Sequence, residues 1–221
     1  MEFKRISIFA GHYGSGKTNI AVNFALYLKK IGKNVVIYDL DIVNPYFRTV
    51  DAENTLKKAG VGLVVSPYAE TNVDIPAMNA ATYKMVDDKT TYAVVDLGGD
   101  DRGALALGRF SDKIKEENDY DMFLVVNPYR PETRDLIGLS EIKNEIERAG
   151  RILFTGIVNN ANLGKETTAE TVKKGEIFCR EFSEKEKIPV AFTCFNSELF
   201  EKVKHEYKNT LKLDLIDYGT F

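Results

Sequence analysis

This sequence has a small net charge, few cysteines and no long apolar runs. The 30 lysines and arginines nearly balance the 33 aspartates and glutamates, which leaves a formal net charge of -3. Nucleic-acid-binding proteins normally have a strong basic excess, so we do not expect nucleic acid as a partner. No stretch approaches the roughly 18 apolar residues that span a bilayer, and residues 198–221 mix Lys with Asp and Glu. We therefore expect a cytoplasmic protein with no membrane partner.

The two cysteines, Cys179 and Cys194, form neither a C-x-C nor a C-x-x-C motif. Their spacing predicts no zinc ribbon and no disulfide framework, and we expect both thiols to be buried in the core. Hydrophobic residues make up 44% of the chain, which is enough to bury a sizeable core, and no linker rich in Pro, Gly and Ser divides it. We therefore expect residues 1–221 to form a single domain.

Short apolar runs rich in β-forming residues recur along the chain. They are near-continuous, which is typical of strands buried on both faces, and they cover residues 6–10, 35–38, 61–65, 92–95, 122–126, 152–158 and 189–193. Segments with helical spacing lie between most of them, such as 131–149 and 19–30, where Ile20, Phe24, Leu28 and Ile31 share one stripe. This alternation predicts an α/β fold: a doubly wound, mostly parallel sheet with helices on both faces. After the last of these strands we expect a terminal helix and tail.

A complete Walker A motif, GHYGSGKT, follows the first predicted strand and precedes an amphipathic helix. Its glycines allow the backbone N–H groups to curl around phosphate oxygens, and the start of the helix adds further N–H donors. Lys17 is expected to reach the β- and γ-phosphates, and the Thr18 hydroxyl to bind Mg²⁺. The predicted nucleotide-binding residues of this segment are Gly11, Gly14, Ser15, Gly16, Lys17, Thr18 and Asn19.

Acidic residues follow two of the predicted strands. Strand 92–95 is followed by Asp96 and, a few residues on, by Gly99, so Asp96 would hold Mg²⁺ and Gly99 could donate its N–H to the γ-phosphate. Strand 35–38 is followed by Asp39 and Asp41, which places two carboxylates just beyond the edge of the sheet where ligands bind in this architecture. The expected metal ligands are Thr18, Asp41 and Asp96.

Three segments, GHYGSGKTNIAVNFALYL, VVIYDLDIVNPYFRTVD and VVDLGGD, together resemble the MinD/ParA group of P-loop ATPases. This CobQ/CobB/MinD/ParA group includes the nitrogenase iron protein, and the resemblance extends over nearly the whole chain. It implies ATP and Mg²⁺ as cofactors, Asp96 as the metal carboxylate and Asp100 as a switch residue that senses the γ-phosphate. It also implies that Asp41 orients the attacking water, so Lys17 and Asp41 are the expected catalytic residues.

One position departs from this group. Members that hydrolyse ATP as a sandwich dimer usually carry a lysine directly after the first glycine of the loop, where this chain has His12. A neutral imidazole cannot supply the permanent charge that stabilises a phosphoryl-transfer transition state, although a protonated one could in part. A nucleotide-dependent homodimer is therefore left open. The alternative is that His12 lines the nucleotide site without a catalytic role.

Three asparagines, Asn159, Asn160 and Asn162, follow strand 152–158 at the place where GTPases of related architecture carry N-K-x-D. Asn162 offers no carboxylate to a guanine base. The resemblance to adenine-binding members assigns a base contact to Asn160, whose amide can both donate and accept, and this favours ATP over GTP. The alternative interpretation of Asn159 and Asn160 is an ordinary signal for a turn after a strand.

Two loops that contain proline carry an arginine each, Arg48 and Arg130, and either side chain could meet a phosphate or a protein partner, or simply pack and cap its loop. The sequence does not identify that partner.

The best interpretation of the sequence is an ATP-binding P-loop protein of the MinD/ParA type, a slow Mg²⁺-dependent ATPase that acts as a nucleotide switch. Two alternatives remain: an ATP-dependent biosynthetic ligase or small-molecule kinase similar to dethiobiotin synthetase and the cobyrinic acid amidating enzymes, and a binding module that does not hydrolyse its nucleotide.

Overall fold

The computed structural model describes residues 3–41, 49–65, 80–98 and 101–214. Strands in these ranges are β1 (Ile6–Ala10), β2 (Val35–Leu40), β3 (Gly62–Val65), β4 (Tyr92–Leu97), β5 (Tyr120–Val126), β6 (Gly156–Asn159), β7 (Val190–Asn196) and β8 (Thr210–Leu213). Helices are α1 (Lys17–Lys30), α2 (Glu53–Ala59), α3 (Ala80–Asp87), α4 (Asp101–Gly108), α5 (Ser111–Glu117), α6 (Leu136–Gly150), α7 (Ala169–Glu186) and α8 (Ser197–Val203). Short 3-10 helices occupy Thr49–Ala52, Pro131–Thr133 and Gly164–Glu166.

The strands form one sheet in the order β3-β2-β4-β1-β5-β6-β7-β8, and each neighbouring pair is parallel. The predicted α/β fold with a doubly wound parallel sheet is thereby confirmed. Because β1 lies between β4 and β5, the loops that follow these three strands open at the same edge of the sheet. The predicted site residues Lys17, Asp41 and Asp96 lie at this edge.

The sequence did not predict β8, since we expected only a terminal helix and tail there. The structure has α8 and then β8, which pairs with β7 from Thr210 to Leu213. Leu211 and Leu213 are buried against the cluster that contains α1, whereas Lys212 between them is exposed. Such a short alternation on an edge strand is a weak signal next to the continuous apolar runs of the inner strands.

The bounds of every other strand except β1 differ from the prediction. The expected strand 61–65 starts at Gly62, 122–126 starts at Tyr120, and 189–193 corresponds to Val190–Asn196. The expected strands 35–38 and 92–95 each continue by two residues, because the ladder between β2 and β4 extends through the pairs Asp39↔Asp96 and Leu40↔Leu97. Asp39 and Asp96 therefore lie inside strands, and only Asp41 lies beyond the edge. The expected strand 152–158 corresponds to Gly156–Asn159, since residues 152–155 are not in strand conformation.

Apolar side chains pack on both faces of the sheet in two large clusters. One cluster contains the predicted stripe of α1, in which Ile20, Phe24 and Leu28 are buried. Ile31 does not belong to it, because α1 ends at Lys30 and leaves Ile31 46% exposed. Cys179 and Cys194 are buried and free, as predicted, and burial raises the pKa of both thiols.

Helices long and apolar enough to cross a bilayer are absent from the described part of the chain.

Candidate functional site

Residues 11–16 connect β1 to α1 and form the loop that the Walker A motif predicts. Gly16 precedes the first turn of α1 with a φ of 88°, in the left-handed region that favours glycine. A Cβ at Gly16 would lie 2.3 Å from Nδ2 of Asn160, and one at Gly11 would lie 2.6 Å from the carbonyl oxygen of Val125. These two positions accept glycine only, because Gly11 packs directly against β5 and Gly16 against the segment that follows β6.

Side chains from the segments that follow β5 and β6 bind two carbonyl groups of the loop. Asn160 Nδ2 donates to the carbonyl of Ser15 at 2.7 Å, and Arg130 Nε donates to the carbonyl of Gly14 at 2.9 Å. Within the loop, the Ser15 N–H donates to the carbonyl of His12 at 3.1 Å. The structure thus brings Asn160 to the phosphate loop, and its predicted contact with a nucleotide base stays a prediction.

Lys17 and Asp41 form a buried ion pair. Lys17 Nζ lies 3.1 Å from Asp41 Oδ2, and the side chains are 4% and 3% exposed. Lys17 reaches this point from the first turn of α1, while Asp41 follows β2, so the parallel sheet brings the two predicted catalytic residues together from separate segments. Asp39 supports the arrangement, since its Oδ1 accepts a hydrogen bond of 3.0 Å from the backbone N–H of Asp41.

Asp96 lies fully buried near the end of β4, beside this pair. The pKa of Asp96 is raised from 3.8 to about 6, mainly because burial disfavours the charged carboxylate. The charge of Asp41 also raises this pKa, whereas the charge of Lys17 lowers it. Hydrogen bonds with Thr18 and Thr49 lower it as well. Thr49 Oγ1 donates to Asp96 Oδ2 at 3.0 Å. The predicted metal residues Thr18, Asp41 and Asp96 therefore lie in one cluster.

Thr49 was not expected from the sequence. It is fully buried in the 3-10 helix Thr49–Ala52, and it touches Asp96 although the two residues are 47 positions apart in the chain. Thr49 lies in the segment VVIYDLDIVNPYFRTVD that carries part of the family resemblance, but the residue types alone give no signal for a contact with Asp96. Only the pairing of β2 with β4 brings these segments together.

The buried oxygens of the site fit a nucleotide with a divalent ion. Ser15 Oγ and Asp96 Oδ1 are buried without a hydrogen-bond partner among the described residues, and they lie where a phosphate loop meets phosphate and metal. Mg²⁺ in nucleotide sites is held by about one or two carboxylates together with phosphates and waters. Residues that could form a metal cage by themselves, in groups of three or more His, Cys, Asp or Glu, are absent from the described ranges. The donor set thus suits a metal that binds together with phosphates.

The remaining predicted residues have more ordinary surroundings. His12 is partly exposed, and its Nδ1 lies 3.8 Å from Glu132 Oε2. Asn19 lies in the first turn of α1, where its Oδ1 accepts a hydrogen bond of 3.0 Å from Asn23. Asn159 is buried and bonds to the backbone at Val172 and Ala161.

Asn162 accepts a hydrogen bond from the N–H of Gly164 through its side chain, in the loop after β6. Gly99, Asp100 and Arg48 lie outside the residues that the structure describes, so their expected roles stay predictions.

Comparison with known protein families agrees with this geometry, which defines a P-loop nucleotide-binding protein. Residues 6–172 match the family model of the CobQ/CobB/MinD/ParA nucleotide-binding domain. The match covers most of the chain, and the chain belongs to this family. The resemblance that the sequence motifs suggested is thereby confirmed. None of the curated proteins compared with the chain matches it significantly.

Two solved FtsY structures share the fold at low sequence identity. The cell division protein FtsY of Thermotoga maritima has a TM-score of 0.58 and 16% identity, covering 87% of this chain and 61% of its own. Chloroplast FtsY from Physcomitrella patens has a TM-score of 0.55 and 18% identity, covering 87% and 59%. A nucleotide-binding protein from Archaeoglobus fulgidus in complex with ADP has a TM-score of 0.47 and 16% identity, covering 89% and 85%. This chain thus spans about three fifths of the length of the two FtsY structures.

Proposed function

We propose that this protein binds ATP with Mg²⁺ and hydrolyses it slowly, as a nucleotide switch of the MinD/ParA type. The observation that carries the proposal is the convergence of Lys17, Thr18, Asp41 and Asp96 beside the phosphate loop, from α1, β2 and β4. A lysine, a hydroxyl and two carboxylates at the end of a glycine-rich loop are the groups that phosphoryl transfer requires. In the same proposal, residues 1–221 form one domain, which the continuous sheet from β3 to β8 supports.

Each of these side chains has a distinct task in the proposal. The backbone N–H groups at the start of α1 and the ammonium of Lys17 bind the phosphates, so Lys17 exchanges its contact with Asp41 for one with phosphate. Asp41 then accepts a hydrogen bond from the attacking water. Thr18 and Asp96 hold Mg²⁺, which when bound neutralises charge on the phosphates. Because Asp41 leads directly into residues 42–48, this exchange would couple the nucleotide to the segment that follows it.

Calorimetric titration tests nucleotide binding. We expect ATP and ADP to bind in the presence of Mg²⁺, GTP to bind more weakly, and Lys17→Ala to lose the affinity. Lys89→Ala is a matched control, since Lys89 is an exposed lysine that pairs with a carboxylate, Glu117, near the other end of β4. An affinity for ATP that is unchanged in Lys17→Ala would overturn the proposal.

Measurement of ADP release then separates hydrolysis from the other activities of this fold. A slow rate in water alone supports the switch, and a rate per molecule that rises with protein concentration indicates a homodimer as the active form. Bound ATP that remains intact for hours, even at high protein concentration, would indicate a binding module, and His12 in place of lysine is the observation that favours this second candidate. ADP release that requires an added metabolite would instead indicate a ligase or kinase.

A further inference from the structure

The segment that follows β5, residues 127–133, forms a tightly bonded turn next to the phosphate loop. Asn127 is buried, and its carbonyl accepts from the Arg130 N–H at 3.1 Å and from the Thr133 hydroxyl at 2.6 Å. Its side chain also binds the backbone of Tyr129 and of Asn162. These bonds hold the backbone at Arg130, an exposed residue, next to the phosphate loop.

This turn touches the phosphate loop at two points. Arg130 Nε donates to the carbonyl of Gly14 at 2.9 Å, and Glu132 lies beside His12. A Cβ at Gly14 would meet the Arg130 side chain at 3.3 Å, so the guanidinium packs closely against this glycine. The function proposed above uses neither Arg130 nor Glu132.

The contact determines how one peptide group of the loop is oriented. The peptide that joins Gly14 to Ser15 is bonded at both ends, since its carbonyl accepts from Arg130 and its N–H donates to His12. Asn160 holds the next peptide by its carbonyl, at Ser15. Because the C=O and N–H of a trans peptide point in opposite directions, the N–H of Gly16 is turned away from Asn160 and can meet a phosphate.

We propose that Arg130 is a positioning residue that holds the phosphate loop in its phosphate-binding conformation, acting on ligands that carry a diphosphate or triphosphate. The inference rests on the proposed function, because it concerns the same site. Without Arg130 the turn from His12 to Ser15 would lose the bond that holds the Gly14 carbonyl, and part of the binding energy would be needed to order the loop. The role is that of a hydrogen-bond donor with fixed geometry and does not depend on charge acting at a distance.

The test compares Arg130→Ala with Arg134→Ala, which removes an exposed arginine four positions further along the chain. Calorimetric titration with Mg²⁺–ADP should show an affinity about three- to tenfold weaker for Arg130→Ala, which is the range of one lost hydrogen bond, and no change for Arg134→Ala. The melting temperature of the nucleotide-free protein should be the same in both variants and in the wild type. A purely structural role would instead lower this melting temperature and leave the affinity for ADP unchanged.

The salt dependence of ADP binding distinguishes a positioning role of Arg130 from a long-range effect of its charge. The loss in Arg130→Ala should persist when NaCl is raised from about 0.05 to about 0.5 M, because screening acts on charges at a distance and much less on a direct bond. A loss that disappears at high salt, or one that Arg134→Ala shares, would overturn the inference. An affinity for Mg²⁺–ADP that is the same in Arg130→Ala and in the wild type would overturn this inference alone. A wild-type protein that binds no nucleotide would overturn the proposed function and this inference with it.

Discussion

Lys17 Nζ lies 3.1 Å from Asp41 Oδ2, and neither side chain is more than 4% exposed. The cation that the motif assigns to phosphates thus has a carboxylate partner within the protein. Removing one charge of a buried pair destabilises a protein more than removing both charges. The pair therefore links the stability of the protein to its binding site.

We predict that Lys17→Met lowers the free energy of unfolding by about 3–5 kcal/mol, because the charge of Asp41 then stays buried without this cation. Adding Asp41→Asn to Lys17→Met should restore most of the loss. Urea denaturation of the nucleotide-free proteins measures both effects. Strictly additive losses in the double variant would contradict the prediction, since they would mean that the two side chains do not interact.

Asp96 should make the stability of the nucleotide-free protein depend on pH. Its pKa is about 6 in the folded protein against an ordinary value of 3.8, so the folded state binds the proton more tightly than the unfolded chain. The stabilising contribution of Asp96 is thus complete below about 3.8 and is lost as the pH rises through about 6. Asp96→Asn removes this titration and keeps an acceptor for Thr49.

We therefore predict that Asp96→Asn gains stability relative to the wild type between pH 4 and pH 7, by up to about 3 kcal/mol. Urea denaturation of both proteins at several pH values measures the difference in their free energies of unfolding. The titration of the other acidic groups is common to both proteins and cancels in this difference. Asp87→Asn serves as the control, since it changes an exposed carboxylate that pairs with Lys113. A difference between Asp96→Asn and wild type that does not vary with pH would exclude the raised pKa.

Gly16→Ala should abolish nucleotide binding, because a Cβ there would lie 2.3 Å from Asn160 Nδ2 and the loop would have to move. Gly32→Ala is a close control: Gly32 has a φ of 86°, similar to the 88° of Gly16, but no atom lies within 4 Å of its Cβ position. Gly32→Ala should cost about 1 kcal/mol of stability from its backbone conformation and leave the affinity for ADP intact. Equal effects on affinity in both variants would show that loop packing is not the cause.

His12→Ala should change the affinity for Mg²⁺–ATP and the rate of ADP release by less than about twofold, because an imidazole, unlike the ammonium of a lysine, supplies no permanent charge to the transition state. His205→Ala, at an exposed position, serves as the control. A loss of about tenfold or more in the rate alone would assign a catalytic role to His12. Substitution by lysine extends the test, since His12→Lys should raise the rate at high protein concentration if two chains act together.

Local patterns in the sequence predicted the fold and the centre of the site. The phosphate loop was predictable because its glycines, Lys17 and Thr18 act within one short segment between a strand and a helix. The parallel sheet was predictable because its inner strands are apolar on both faces. The strand ends after Tyr38 and Val95 were not predictable, because they depend on ladder bonds between β2 and β4 rather than on composition.

The sequence by itself determined the class of this protein: a parallel α/β sheet with a glycine-rich loop for phosphates and two carboxylates near its edge. Tertiary structure alone decided which side chains surround that loop. Thr49 meets Asp96, and Arg130 meets Gly14, across 47 and 116 positions of the chain. The physical reason is that helical and strand periods report contacts within a segment, whereas these bonds depend on the order of strands in the sheet and on the loops it brings to one edge.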